Sequence, residues 1–337
     1  EPDALVGDGP IPELFRAALP DIRVELEGLD LEAAAHRVDA GALAETAPRT
    51  RRDFGAFAHL LAGRETGAGD LSLSAEGRMD RDGVTGEWFA SRALAASAGL
   101  GALRVQVANR SSFSPPSLGD QFFRDGVGVA PNPDLRAVRV PNEWEAGASW
   151  ASALGGAEVA ASAAAYRGDV RGMIVWLPDF SFRWSPRNVD VRRRGVDTRA
   201  EVRVPAAARL RLAGSWSLAD VVYDQPGDAV QVAYRPRHAA LLEAEAAPGA
   251  WRAGVAARWT GERPTSVSGV NRLPGFWSVE MDVAREWRVG GWAATAAVRV
   301  DRLLDETESL IAGFPEPGRR LRLDLRLRRA EGQDINP

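Results

Sequence analysis

Arg320-Leu321-Arg322-Leu323-Asp324-Leu325-Arg326-Leu327-Arg328-Arg329 alternates leucine with charge almost to its end. Successive side chains of a β-strand point to opposite faces, so the segment predicts one strand whose two faces want opposite surroundings. Working backward, Trp292, Ala294, Ala296, Val298 and Val300 oppose Ala293, Thr295, Ala297, Arg299 and Asp301. Val279, Met281 and Val283 likewise oppose Ser278, Glu280 and Asp282. Residues Phe276 to Arg329 therefore read as three successive antiparallel strands. The last is reached through Gly313-Phe314-Pro315-Glu316-Pro317-Gly318-Arg319.

The fold class turns on what the apolar faces meet. In a soluble β-sandwich they pack on a second sheet and the charged faces are solvated. In a transmembrane barrel they meet lipid, and the charged faces line a wet lumen. Trp251-Arg252-Ala253-Gly254-Val255-Ala256-Ala257-Arg258-Trp259 discriminates best, because Trp251 and Trp259 share a face with only Ala253, Val255 and Ala257 between them. Eight residues span roughly 26 Å at 3.3 Å each. That is close to the apolar band of an outer-membrane barrel, about 25 Å tall between two aromatic girdles. The expected interface aromatics are Trp251, Trp259 and Trp292, with outer-membrane lipid as the partner. The final strand would then place its leucines toward lipid and its arginines toward the lumen.

Upstream, alternating segments recur between Gly, Pro, Asp and Asn breaks, giving about fourteen strands with no helix between them, which argues against a parallel βαβ fold. Residues 1–52 read as an irregular lead-in with a first strand at Ile22, Val24 and Leu26, and 30–52 as either a short helix or a strand and loop. Residues 53–329 read as the strand array, and 330–337 as a polar tail. The expected fold is all-β: an antiparallel up-and-down transmembrane β-barrel or the C-terminal portion of one, the alternative being a soluble β-sandwich or β-sheet subunit. Within the array, Met173 to Leu177 and Val230 to Tyr234 read as short strands of their own. A long Pro-rich connection covers Ser114 to Asn142, and connections of that length are commonly functional.

Composition narrows the function. With 26% charged and 45% hydrophobic residues the chain is a folded protein, and a net charge of −4 gives no basis for nucleic-acid binding. All 42 basic residues are Arg. Zero cysteines remove disulfide, zinc-thiolate and cysteine-nucleophile chemistry. No apolar run is long enough for a spanning helix, which leaves a barrel open.

Several segments resemble TonB-dependent outer-membrane receptors. Val300-Asp301-Arg302-Leu303-Leu304-Asp305-Glu306 followed by Gly313 to Arg319 is similar to the "N-L-x-D" and "G-x-P-x-P-G-R" signatures of that family's last strands. Phe113-Ser114-Pro115-Pro116-Ser117-Leu118, Asn132-Pro133-Asp134-Leu135 and Asn142-Glu143-Trp144-Glu145-Ala146-Gly147 resemble its "P-S-L", "N-P-x-L" and "E-x-G" series. Asn188 and Gly195-Val196-Asp197 resemble its "N" and "G-x-E" pair. The resemblance implies energised import of a scarce ligand such as a siderophore or cobalamin, a bacterial outer-membrane location, and contact with TonB through a plug domain. No plug is recognised in this sequence. Two expectations follow: a C-terminal part of a receptor, or a β-rich accessory subunit derived from one, located in the periplasm or at the periplasmic face of a membrane complex.

No catalytic constellation is found, so a non-enzymatic protein without a cofactor is expected. His36, His59 and His238 lack metal-ligand spacing. Asp80 and Asp82 beside Gly83 fit a turn better than a calcium loop. Asp305 and Glu306 fall in a loop. Phe122, Phe123 and Arg124, midway along the long connection, are the candidates for contact with a small ligand or a protein partner. Arg192-Arg193-Arg194 reads as a solvated turn.

Overall fold

The structure, a computed structural model, describes residues 23–38, 49–67, 69–123, 125–126, 128–179, 181–205, 208–227, 229–305 and 309–329. Fourteen of its strands form one sheet in chain order, each beside the next. They are β1 Arg23–Val38, β2 Arg49–Thr66, β3 Gly69–Arg81, β4 Trp88–Leu100, β5 Leu103–Ser114, β6 Val138–Leu154 and β7 Ala157–Pro178, then β8 Trp184–Val204, β9 Leu210–Tyr223, β10 His238–Ala246, β11 Trp251–Thr260, β12 Phe276–Val289, β13 Trp292–Asp301 and β14 Arg320–Arg329. This up-and-down order is the one expected of a barrel wall, and it differs from the two stacked sheets of a sandwich. Short turns alternate along the chain with longer connections. The tightest turns use Gly-Gly pairs: Gly290 and Gly291 have φ of 54° and 79°, the left-handed geometry that a two-residue hairpin requires.

Some expected boundaries move. Met173 to Leu177 continues β7 instead of standing alone. Gly168 and Gly172, which look like breaks, sit inside that strand. A Cβ at Gly168 would stand 3.2 Å from the Asn142 carbonyl oxygen, and Gly172 takes a φ of 68°. Both therefore serve close approach and a bulge, not a turn. Val230 to Tyr234 forms no strand, only a single bridge from Gln231 to Val222. A five-residue helix, α1 (Leu118–Phe122), interrupts the all-strand expectation. The first strand runs on to Val38, so a helix opening at Leu29 is not formed. Residues 1–22 and 39–48, the larger part of the lead-in, and the tail 330–337 lie outside the described residues.

The chain divides into two compact units, residues 1–147, 166–193 and 223–227, and residues 148–165, 194–222 and 228–337. In the first, Leu73 stands opposite Ala96 and Ala96 opposite Val107, on one side of β3, β4 and β5. Leu73 is 52% exposed and Val107 42%. The other side of the same strands carries polar pairs, with Asp70 bound to Arg104 at 2.9 Å and Ser72 to Ser97 at 2.8 Å. In the second unit, Val255 faces Met281, Met281 faces Val300 and Val300 faces Leu321. Val255, Met281 and Leu321 are all exposed. The opposite side again holds ion pairs, with Arg211 reaching Glu201, Glu243 and Glu245.

Alternation has thus produced a sheet whose apolar rows stay uncovered and whose charged rows pair with one another. Among the described residues only nine hydrophobic side chains other than proline are buried. A sandwich of this length would bury far more, since its two inner faces interdigitate. Seven of the nine belong to the first unit and cluster where the long connection folds down: Phe89, Leu118, Leu135, Val140, Val170, Val191 and Tyr223.

Candidate functional site

The connection between β5 and β6 is a folded cap in the first unit. Its Pro115-Pro116 pair prevents β5 from continuing, and Ser117 then caps α1, its Oγ accepting from the Asp120 N–H at 2.9 Å. Leu118 and Gln121 on the inner side of that turn are buried. Asn132 makes an Asx turn, accepting from the Asp134 N–H at 3.1 Å, while its amide donates to the Pro186 carbonyl at 2.9 Å. The chain then runs beside β8: the Ala130 N–H donates to the Trp184 carbonyl and the Trp184 N–H to the Gly128 carbonyl, both at 2.8 Å.

Side chains of the flanking strands complete the clamp. Arg51, buried on β2, donates to the Pro116 carbonyl at 3.0 Å and pairs with Asp53 and Asp82. Asn188 accepts from the Arg136 N–H at 2.8 Å and donates to the Arg136 and Gly172 carbonyls at 3.0 and 2.6 Å. Asn188→Ala removes three bonds from one side chain, so we expect a loss of about 2 kcal/mol and faster hydrogen exchange at Arg136.

Phe122 and Phe123 are half-buried, and Phe123 lies 5.4 Å from the Trp176 ring. Phe123 therefore contributes to packing of the cap. Arg124 lies outside the described residues. Among the described large hydrophobic side chains the most exposed is Phe182, at the β7–β8 turn, with 82% of its surface exposed and a φ of 58°. Its N–H donates to the Asp179 carbonyl at 3.0 Å, and Asp179 Oδ1 accepts from the Arg183 and Ser181 N–H groups at 3.0 and 2.8 Å. These bonds hold the Asp179 carboxyl below the usual carboxylate range. An isolated phenylalanine in a turn leaves no periodic signal, which is why sequence reading passes over it.

Arg183 pairs with Asp125 and so ties this turn to the cap. The hydrogen bond from Arg183, with its charge, lowers the Asp125 pKa. A depressed carboxylate stabilises the folded state above its unfolded pKa and loses that contribution as pH falls through the folded value. The tie is therefore intact at neutral pH. It should release only in acid, below the ordinary aspartate range, seen as a smaller protection factor of the Ala130 N–H relative to the intrinsic exchange rate at that pH.

Other expected sites resolve as structure. Arg192, Arg193 and Arg194 lie within β8 instead of a turn, pairing with Asp224, Glu143 and Asp220 respectively. Asp82 closes a turn, its carboxylate accepting from the Val84 N–H and the Thr85 hydroxyl. Asp305 accepts from the Arg319 N–H, and Glu306 lies outside the described residues. His238 stacks on Trp216, and no group of His, Cys, Asp or Glu able to hold a metal occurs among the described residues. In the second unit Trp251 and Trp292 stand beside short turns, while Trp259 packs at a tilt against Trp277, ring centroids 5.5 Å apart, at the opposite end of β11. Arg263, unremarked in the sequence, is fully buried, donating to the Gly261 and Ser309 carbonyls beneath the Phe276 ring. Burial pushes its guanidinium down from the ordinary arginine value.

The profile of the family described as TonB dependent receptor-like, beta-barrel, matches residues 33–301. The chain belongs to the TonB-dependent receptor family. Its fold is shared with solved members: the copper transporter OprC superposes with a TM-score of 0.60 at 18% identity, over 89% of this chain and 52% of that one. A mutant of the ferric enterobactin receptor PfeA from Pseudomonas aeruginosa, in complex with enterobactin, gives 0.59 at 16% identity over 83% and 46%. The ferric citrate transporter FecA gives 0.54 at 13% over 82% and 46%. The chain thus spans about half the length of these receptors. No curated protein matches it. The receptor-like residues Asn132, Leu135, Glu143 and Asn188 all belong to the clamp or to the wall beneath it, so the signature that announces the family is architectural.

Proposed function

We propose that this chain forms part of the wall of an outer-membrane receptor that imports a scarce ligand with energy supplied through TonB. The observation carrying the proposal is the pairing of faces, with apolar rows uncovered on one side and ion pairs on the other. In water such rows would be an association liability, whereas in a bilayer they are the required surface. On this reading Trp251 and Trp292 form one girdle and Trp259 with Trp277 the other. The short turns face the periplasm and the long connections face outward. In this reading TonB acts through a plug domain, not through these strands.

OprC, PfeA and FecA are named for copper, ferric enterobactin and ferric citrate. We infer the same broad class, a scarce metal or its chelate, as cargo here. We assign ligand capture to the outward cap that carries Phe122 and Phe123, with Arg124 next in sequence and Phe182 at the neighbouring turn. A left-handed φ costs a phenylalanine on the order of 1 kcal/mol, so its retention in an exposed turn favours a contact role. Phe182→Gly should therefore raise stability by up to about 1 kcal/mol in a denaturant titration, while weakening capture in the complete receptor.

Fractionation of cells producing the chain tests the assignment. Recovery in outer-membrane detergent extracts as a heat-modifiable band is expected. Recovery in the soluble periplasm would overturn it.

A further inference from the structure

At the short-turn end of the second unit, the apolar side of the sheet carries an arginine. Arg285 on β12 stands directly opposite Trp251 on one neighbour and Ala296 on the other, and Ala296 stands opposite Leu325. Its guanidinium carbon lies 4.9 Å from the centroid of Trp251 and 5.3 Å from that of Trp287. Nearer the turn, Trp292 stands opposite Arg329, a second arginine on the same side. Among the described residues neither arginine has a carboxylate partner, and the paired positions on this side from Trp251 to Arg329 include no acid.

Arg252, Arg288 and Arg326 line a groove of about 840 Å³ on the polar side of the same strands and so stand away from this face. Two indole rings hold the Arg285 guanidinium and fix its direction, but they supply no counter-charge. A cation on an apolar, bilayer-facing surface is costly unless it reaches a polar partner at the interface.

We propose that Arg285, held between Trp251 and Trp287, binds the headgroup phosphate of an anionic glycerophospholipid of the periplasmic leaflet, with Arg329 as the second cation. A guanidinium offers a phosphate two parallel donors, and the aromatic clamp presents that fork already oriented. The row running from Arg285 through Val283, Val298 and Leu323 supplies an apolar track for an acyl chain. Free phosphate would gain nothing from that track, which is why a lipid is the better occupant. Two arginines and no acid among the paired positions of this side favour a headgroup with net negative charge.

The proposal rests on the bilayer reading above, and one experiment separates their failures. The chain, reconstituted into phosphatidylcholine vesicles, is probed by electron spin resonance with spin-labelled phosphatidylglycerol and, separately, spin-labelled phosphatidylcholine. Wild type should hold the anionic label with about tenfold preference at one site, the size of one charge-assisted contact. Arg285→Gln should bring the preference near parity and Arg285→Lys should keep part of it. Arg258→Gln, on the polar side, should leave it unchanged. A heat-modifiable band certifies that each variant is folded. Equal binding of the two labels to wild type, an unchanged preference in Arg285→Gln, or displacement of the label by inorganic phosphate would overturn the lipid site. Immobilisation of neither label would overturn the bilayer placement itself.

Discussion

Val255→Arg should cost about 2–4 kcal/mol of stability for the chain folded in lipid vesicles, the penalty of a cation at the middle of a barrel's apolar band. Val255 lies four residues from Trp251 and four from Trp259, about 13 Å from each along the strand. Its cross-strand neighbours are Ala244 and Met281, so nothing beside it can pair with a guanidinium. The next residue provides the contrast. Ala256 points to the other side, opposite Glu243 and Glu280, so Ala256→Arg should be neutral or slightly stabilising. Urea titration of both variants in vesicles, followed by tryptophan fluorescence, reads the difference. Were the apolar row in water, Val255→Arg would fall within about 0.5 kcal/mol of wild type, as exposed surface changes usually do. Equal midpoints for the two variants would therefore rule out lipid on this face.

Much of that contrast was legible in the sequence, because a strict period of two leaves no freedom about which residues share a face. Trp251 to Trp259 and Leu321 to Leu327 could be assigned to one side each before any partner was known. What the period could not tell was whether a second sheet covers that side. The structure resolves it through strand order, a property of pairing between segments that no single segment encodes. Boundaries failed where glycine serves close approach: Gly168 and Gly172 look like turns until Asn142 and Asn188 are seen beside them. The Arg192-Arg193-Arg194 run failed for a related reason. Three adjacent cations read as a turn, yet they belong to a strand that holds them beside partners, Asp224, Glu143 and Asp220, 26 to 50 residues away in sequence. Phe182 was invisible because its significance lies in one dihedral angle. The cap was legible as a long connection, while the clamp that shapes it depends on Asn188 and Arg51, each more than 50 residues from the segment it holds.

Glu143→Ala should lower stability by about 3 kcal/mol, because it leaves two arginines facing a site built around one carboxylate. Glu143 is 2% exposed; Oε1 accepts from Arg110 at 2.6 Å and Oε2 from Arg193, joining β6 to the arginines of β5 and β8. Gly168 leaves the room for this side chain, its own Cβ position being 3.2 Å from Glu143 Cβ. Arg110 has Glu145 at 3.0 Å as a second partner, whereas the buried Nε of Arg193 already lacks a hydrogen bond. The uncompensated charge therefore falls mainly on Arg193. Because the side chains of Arg110 and Arg193 are 48% and 35% exposed, water recovers part of the loss, which places the estimate at the lower end of values for broken buried pairs. Glu143→Gln keeps the shape and should cost less. Adding Arg193→Met to Glu143→Ala should then restore stability, since it removes the stranded cation. A denaturant double-mutant cycle on these two positions measures the coupling directly. Additive losses would mean that Glu143 acts by packing alone, and that the pairing of β6 with β8 around it is incidental to the wall.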